Sequence, residues 1–392
     1  TVTENTSTAV SASRHGGLQN KTMGLGTLKN CIFWNNTRAD ISSASLITVS
    51  FSIVDNGGVA STYVNGGSVL TVDPLTLEKT LAEAKDAKDR ANKLRLLAAK
   101  FPDDTALLLL LLEAFEDAEE FSSARALARD LRKRSDADAR LSTAVGELHL
   151  RLAKRAAKDE LNDDEAEARR AFGEIVEFAA DDPVARRRLG DLYRAHGYYA
   201  EATRQYETLA RLVPDEPTVA VLMALSQNGL GKLEEAVRWT EKGQKAGAPD
   251  VAQGPHATAR AFAGLFLAWG RVEAKKAGRN DELKTLLART GKLLGNTKTE
   301  GRVRVVLSWS HPELHPSLFT NALGTMTPAI EGDISLGLTQ AVLSAQGAVE
   351  VRLEPAELAK AARLGAKATL TTIFAEGTDA ETISVNEISF NK

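Results

Sequence analysis

The chain has 392 residues, with 49 Lys and Arg against 52 Asp and Glu, for a formal net charge of -3. That length allows two or three domains with a sizeable core in each, and the charge balance gives no global pull toward nucleic acid or anionic lipid. The single cysteine, Cys31, excludes an internal disulfide and a cysteine-built zinc site, and the longest apolar run, Ala106–Leu112, falls far short of a membrane span. The chain begins at Thr1 without a charged-then-apolar leader, which reads as a processed protein or a fragment.

Composition changes twice along the chain, which predicts a multidomain α+β protein: residues 1–75, 76–298 and 299–392. Residues 1–75 are rich in Ser, Thr, Asn and Gly and carry four basic and four acidic side chains. Within them Leu28–Asn36 and Thr48–Asn56 superpose with a shift of 20, bringing Phe33 onto Ile53 and Asn36 onto Asn56. Each is a short apolar strand closed by Asn, and a 20-residue period suits a parallel β-helix. The stretch resembles right-handed β-helix segments of bacterial surface proteins. Two or three rungs leave open edges, so the segment reads as the end of a longer β-helix or as one capped by another chain. Asp40, Asp55, Asp73, Arg14 and Arg38 are too scattered for a polysaccharide lyase or hydrolase site. Pro74 breaks the pattern at the first junction, and the change there also admits pieces that are not one natural chain.

Residues 76–298 turn helical. Ala168, Ala202 and Ala236 recur every 34 residues, as do Gly197 and Gly231, and Pro183 and Pro217. Phe172, Tyr206 and Thr240 follow those alanines by four residues, on the same helix face. A 34-residue period carrying two helices marks a stacked array. The unit from Pro183 to Pro217, with Leu189, Gly190, Tyr193, Gly197, Ala202, Tyr206 and Pro214, is similar to the tetratricopeptide repeat (TPR). The next unit keeps Ala224, Gly231 and Ala236; the preceding one keeps only its second helix. Degenerate pairs at either end bring the expectation to about five helix pairs over Leu75–Leu294.

The resemblance implies a superhelix whose concave face, lined by the first helix of each pair, holds a protein partner. Arg187, Asp191, Arg194, Val221, Leu225 and Asn228 fall at those positions. Some family members clamp a peptide carboxylate there with Lys and Asn; Asp191 stands in place of the Asn, which puts that clamp in doubt. The basic runs Asp130–Arg140 and Ala185–Arg194 have acidic neighbours and read as solvated faces, not nucleic-acid patches.

Residues 299–392 alternate as strands, in Arg302–His311, Gly347–Pro355, Lys367–Gly377 and Glu381–Phe390, which predicts an antiparallel β-sandwich. This part weakly resembles sandwiches that follow helical repeats in bacterial envelope proteins. Where those carry aspartates, this chain has His311, Pro312, Glu313, Leu314 and His315, so no cation site transfers. The prolines at 312 and 316 argue against a helix that would present His311 and His315 to zinc. His149, His196 and His256 have no acidic or cysteine partner at ligand spacing, and His196 reads as a turn residue. There is no phosphate-loop, dinucleotide, nucleophile-elbow or HExxH motif.

The expectation is therefore a non-enzymatic scaffold with no cofactor and no metal. It would be a bacterial envelope or extracellular component, outside the cytoplasm, with neighbouring chains meeting the β flanks. The alternative is a carbohydrate-binding or carbohydrate-processing surface protein that stacks sugars on Trp34, Tyr63 or Trp309.

Overall fold

The computed structural model of the chain describes residues 71–392 apart from 134–138, 156–162, 178, 215, 247–253, 296, 322–325, 330, 345–347 and 391–392, with eight short strands inside 1–70. It divides into two compact units, Thr1–Arg129 and Asp130–Lys392.

In the first unit the strands are β1 (Val10–Ala12), β2 (Leu18–Asn20), β3 (Gly26–Lys29), β4 (Ile32–Phe33), β5 (Ile41–Ser43), β6 (Ile47–Ser50), β7 (Ile53–Val54) and β8 (Tyr63–Asn65). β3 pairs in parallel with β6, and β4 with β7, each matching residues 21 apart, as Ile32 to Ile53 and Leu28 to Val49. The segments joining these strands lie outside the described residues, and the β-helix expectation with them. Helices follow: α1 (Pro74–Ala82), α2 (Ala87–Lys100), α3 (Thr105–Asp117) and α4 (Phe121–Arg132), the last running across the division. Asp104 caps α3, its Oδ1 accepting from Leu107 N–H at 3.0 Å, while its Oδ2 accepts from Val72 N–H, ahead of α1, at 2.9 Å. Leu94, Leu97, Leu107, Leu108, Leu111, Leu112 and Phe115 are buried in this unit.

Among the described residues the second unit opens with eight helices: α5 (Ala139–Arg155), α6 (Asp164–Gly173), α7 (Pro183–Ala195), α8 (Tyr199–Leu212), α9 (Pro217–Gly229), α10 (Leu233–Ala246), α11 (Pro255–Lys276) and α12 (Asn280–Leu294). The period of 34 is visible as packing. A Cβ on Gly190 of α7 would lie 2.4 Å from the Tyr206 ring of α8, so the absent side chain is what lets the two helices close. Gly146 of α5 stands in the same relation to Phe172 of α6, again at 2.4 Å. The unit before Pro183 thus does possess a first helix. Gly146 and Phe172 are 26 residues apart, against 16 for Gly190 and Tyr206, and this insertion hides the helix from a fixed period. In the α9–α10 pair Ala224 and Thr240 occupy these positions, and both are fully buried.

Hairpin turns repeat too. Gly197, Gly231 and Gly278 take φ of 81°, 73° and 67° just past α7, α9 and α11. The next residue then bonds back five residues: Tyr198 N–H to Tyr193 O at 2.8 Å, Lys232 to Gln227 at 2.9 Å, Arg279 to Ala274 at 2.8 Å.

The C-terminal part contains β9 (Arg302–Trp309), β10 (Ser317–Asn321), β11 (Met326–Pro328), β12 (Glu331–Asp333), β13 (Leu338–Ser344), β14 (Ala348–Arg352), α13 (Pro355–Leu364), β15 (Lys367–Phe374) and β16 (Thr382–Ser389). Two antiparallel sheets result, one in the order β12-β13-β9-β15-β16 and one in the order β11-β10-β14. β9 is covered on both faces. Val305, Leu307 and Trp309 join a core with Leu314, Leu318, Ala361, Ala368 and Phe390. Val306, with Leu336 and Leu338, joins the core of the helical array, beside Val221, Leu222, Phe262 and Phe266. The array and the sheets therefore share one interior.

Candidate functional site

Five of the six positions expected to line an open groove are engaged within the chain. Arg187 donates from Nη2 to the backbone oxygen of Ser335 at 3.0 Å and to its hydroxyl at 3.1 Å, reaching the segment between β12 and β13. Its Nε lies 3.5 Å from Asp191. Asp191 is buried and accepts from the Tyr206 hydroxyl at 2.6 Å; the buried Arg194 stands 3.8 Å from the same carboxylate. Burial first, and then the Asp191 charge, holds the Tyr206 phenol well above its ordinary range. These three side chains thus form one charged chain leading to the C-terminal sheets. Val221 is fully buried and Leu225 half-buried in the shared apolar core. Asn228 is half-buried near the end of α9.

The run Ala185–Arg194 is likewise spent on internal partners rather than left as a solvated face. Arg186 donates to Ala180 O at 2.7 Å and to Gln205 at 2.8 Å. Arg188 bridges Thr143 at 3.3 Å and Glu313 at 3.2 Å. Trp309 is 6% exposed in the C-terminal core, which removes it as a platform for sugars. Trp34 and Tyr63 lie where no side chain is described.

Two polar constellations join array to sheets, and spacing did not reveal either. In the first, Arg271 of α11 is 1% exposed and grips both carboxylate oxygens of Glu381, Nε to Oε1 at 2.9 Å and Nη2 to Oε2 at 2.8 Å. Arg304 of β9 grips Glu376 in the same way, at 2.8 and 2.6 Å. Trp269 Nε1 donates to Thr371 of β15 at 3.0 Å. An arginine inside the apolar stretch Ala261–Val272 was the available signal, since a buried guanidinium demands an acidic partner.

The second constellation is Glu147 of α5, His196 at the end of α7 and His311 after β9. Among the described residues it is the one group of three ligating side chains whose donor atoms all lie within 4.8 Å of one another. His311 Nε2 is 3.1 Å from Glu147 Oε1, and the Glu313 N–H points at His311 Nδ1 at 3.3 Å, which places the His311 proton on Nε2. Burial alone would raise the Glu147 carboxyl; the His311 hydrogen bond and the neighbouring positive charges, Lys360 among them, together outweigh it and hold Glu147 below its ordinary value. The His196 ring is stacked on Phe172 with centroids 5.5 Å apart and meets His311 edge-on at 5.9 Å. Burial pushes His196 down to about 4, so the ring is neutral at neutral pH. Its Nε2 is buried without a hydrogen-bond partner. The triple read from sequence separates instead: Glu313 pairs with Arg188 and Lys360, and His315 with Glu357 at 3.0 Å. His149 and His256 do find partners, Asp164 at 2.7 Å and the Gln244 carbonyl at 2.6 Å.

An open cavity of about 740 Å³ lies over α8, α9 and α10, lined by Glu207, Met223, Gln227, Lys232, Trp239 and Glu282 among others.

Helix pairs in which glycine or alanine admits an aromatic or threonine of the partner helix, closed by recurrent left-handed turns, define a TPR-like array carrying antiparallel sheets at its C-terminus. No family model and no curated protein matches the chain. Among solved structures, MamA overlaps 45% of the chain and 96% of its own length at 16% identity and a TM-score of 0.30. A thermophilic TPR protein from Thermus thermophilus overlaps 50% and 97% at 16% identity and 0.30. The pilF protein of Pseudomonas aeruginosa overlaps 57% and 90% at 16% identity and 0.29.

Proposed function

We propose that the chain is a non-enzymatic interaction scaffold. In this reading the inner face of α7 and α9, including Arg187, Asp191, Arg194, Val221, Leu225 and Asn228, seats the chain's own C-terminal sheets. A protein partner is then met by what stays open, foremost the cavity over α8–α10 with Trp239 and Lys232 at its wall. The hydrogen bonds from Arg187 to Ser335 carry this reading, because they tie the inner face of α7 to the chain's own C-terminal part. We place the protein in a bacterial envelope or extracellular assembly, outside the cytoplasm, where its β flanks, as a sandwich and the end of a β-helix, dock to neighbouring chains.

The test is affinity capture from a bacterial envelope extract with the full chain as bait, beside a Trp239→Ala, Lys232→Glu variant. A protein retained by the wild type and lost by the variant supports the scaffold. Retention of glycan alone would return the reading to carbohydrate binding, and an empty capture would overturn the scaffold.

A further inference from the structure

We infer that Glu147, His196 and His311 form a binding site for one late first-row divalent cation, zinc foremost, which clips the C-terminal sheets onto α5 and α7. The donor set is two imidazoles and a carboxylate, a set zinc accepts with a water in the fourth position. Around a tetrahedral ion with bonds of about 2.0–2.1 Å the donor atoms stand roughly 3.4 Å apart. His311 and Glu147 are already at 3.1 Å, and all the donors lie within 4.8 Å, so an inward shift of about an ångström completes the shell.

An independent observation points the same way. His196 Nε2 is buried and bonds to nothing, which is costly for a polar atom in a packed interior and calls for an explanation such as an ion or a water. The ring is held by packing: stacked on Phe172 and edge-on to His311. Metal ligands need orientation of this kind.

The charges around the site have also been answered. Lys360, whose charge bears on Glu147, and Arg188 are both held by Glu313. Arg151 and Lys154 bear on His196 and work against a cation, so the site depends on the Glu147 carboxylate for its negative charge. Loading has two local costs. With Nε2 on the ion, the His311 hydrogen bond to Glu147 is exchanged for coordination, and with the His311 proton now on Nδ1 the 3.3 Å contact from the Glu313 N–H is given up. The three ligands come from three elements far apart in sequence, so the site exists only when the sheets are seated on the array, and an ion there would stabilise that seating by mass action.

The experiment uses the full chain carrying Cys31→Ser, so that no thiolate can contribute, stripped with chelator and titrated with Co2+ and then Zn2+. One equivalent of Co2+ should give the visible d–d bands of a tetrahedral site, Zn2+ should abolish them, and Zn2+ should raise the melting temperature. His196→Ala should lose the bands and weaken zinc by at least about 100-fold, the upper end of what outer-shell changes cost. His315→Ala, at an exposed pair, should leave the bands unchanged. If His196→Ala does not fold, judged by circular dichroism in chelator, Glu147→Gln decides: it keeps an acceptor for His311 but removes the charge, and it should lose binding. Absence of d–d bands at stoichiometric Co2+, or bands that survive His196→Ala or Glu147→Gln, would overturn the site.

Discussion

Glu119 shows how much a single backbone position carries. It follows α3 with φ of 60°, where the turns after α7, α9 and α11 use glycine, and Glu120 N–H bonds to Phe115 O at 2.8 Å as in those turns. A non-glycine residue in the left-handed region costs about 1–2 kcal/mol. Glu119→Gly is therefore expected to stabilise the chain by about 1 kcal/mol, read as a higher urea midpoint at unchanged slope. The opposite is expected at Gly190, where an added methyl meets the Tyr206 ring: Gly190→Ala should cost about 1–3 kcal/mol by overpacking. A midpoint within error of wild type would show that the helices part freely there. Tyr206 was legible in the sequence because its position repeats every 34 residues, and Gly190 through the resemblance to the repeat. Asp191 was legible only as a helix face. That face is covered, and its carboxylate is committed to the Tyr206 hydroxyl, which periodicity has no means of reporting.

At the scale of elements, among the helices that escaped the sequence reading, α5 and α13 did so for different reasons. α5 was lost because ten extra residues between Gly146 and Phe172 break the period, although Gly146 does the work of Gly190. α13 lay in a region read as strands and loops, yet its ends are marked: Pro355 at its first turn and Gly365 at φ of 61° just past its end. The contact of α11 with the segment between β15 and β16 rests on Arg271. Its removal leaves the half-buried Glu381 without its cation, a loss of up to about 3 kcal/mol. Arg271→Met should lower the thermal midpoint accordingly, and adding Glu381→Gln should recover a large part of the loss. No recovery would mean that the arginine acts mainly through Thr290 and packing.

The second unit as a whole has one interior built from two kinds of layer. Val306, Leu336 and Leu338 of the C-terminal part belong to the same core as Phe262, Phe266 and Val221 of the helices. A chain ending at Leu294 would expose that apolar surface. Such a truncation is expected to bind a hydrophobic dye strongly and to melt at lower temperature than the full chain, because apolar area otherwise buried returns to water. An unchanged melt with no dye binding would show that the array is complete without its sheets.

The sequence alone determined that helices pair with a 34-residue period, where their turns fall, and that the C-terminal part is made of antiparallel strands. These follow from local rules: side-chain periodicity, residues that tolerate positive φ, and small residues opposite large ones. Only the tertiary structure decided that Arg187 of α7 bonds to Ser335 of the C-terminal part and that Val221 of α9 shares a core with Val306 of β9. It alone decided that Arg271 meets Glu381, and that Glu147, His196 and His311 converge. Those contacts join residues 49 to 164 positions apart, and at such separations nothing in local propensity indicates which polar side chains will share a buried space. That is settled by how the apolar surfaces of helices and sheets fit when both leave water.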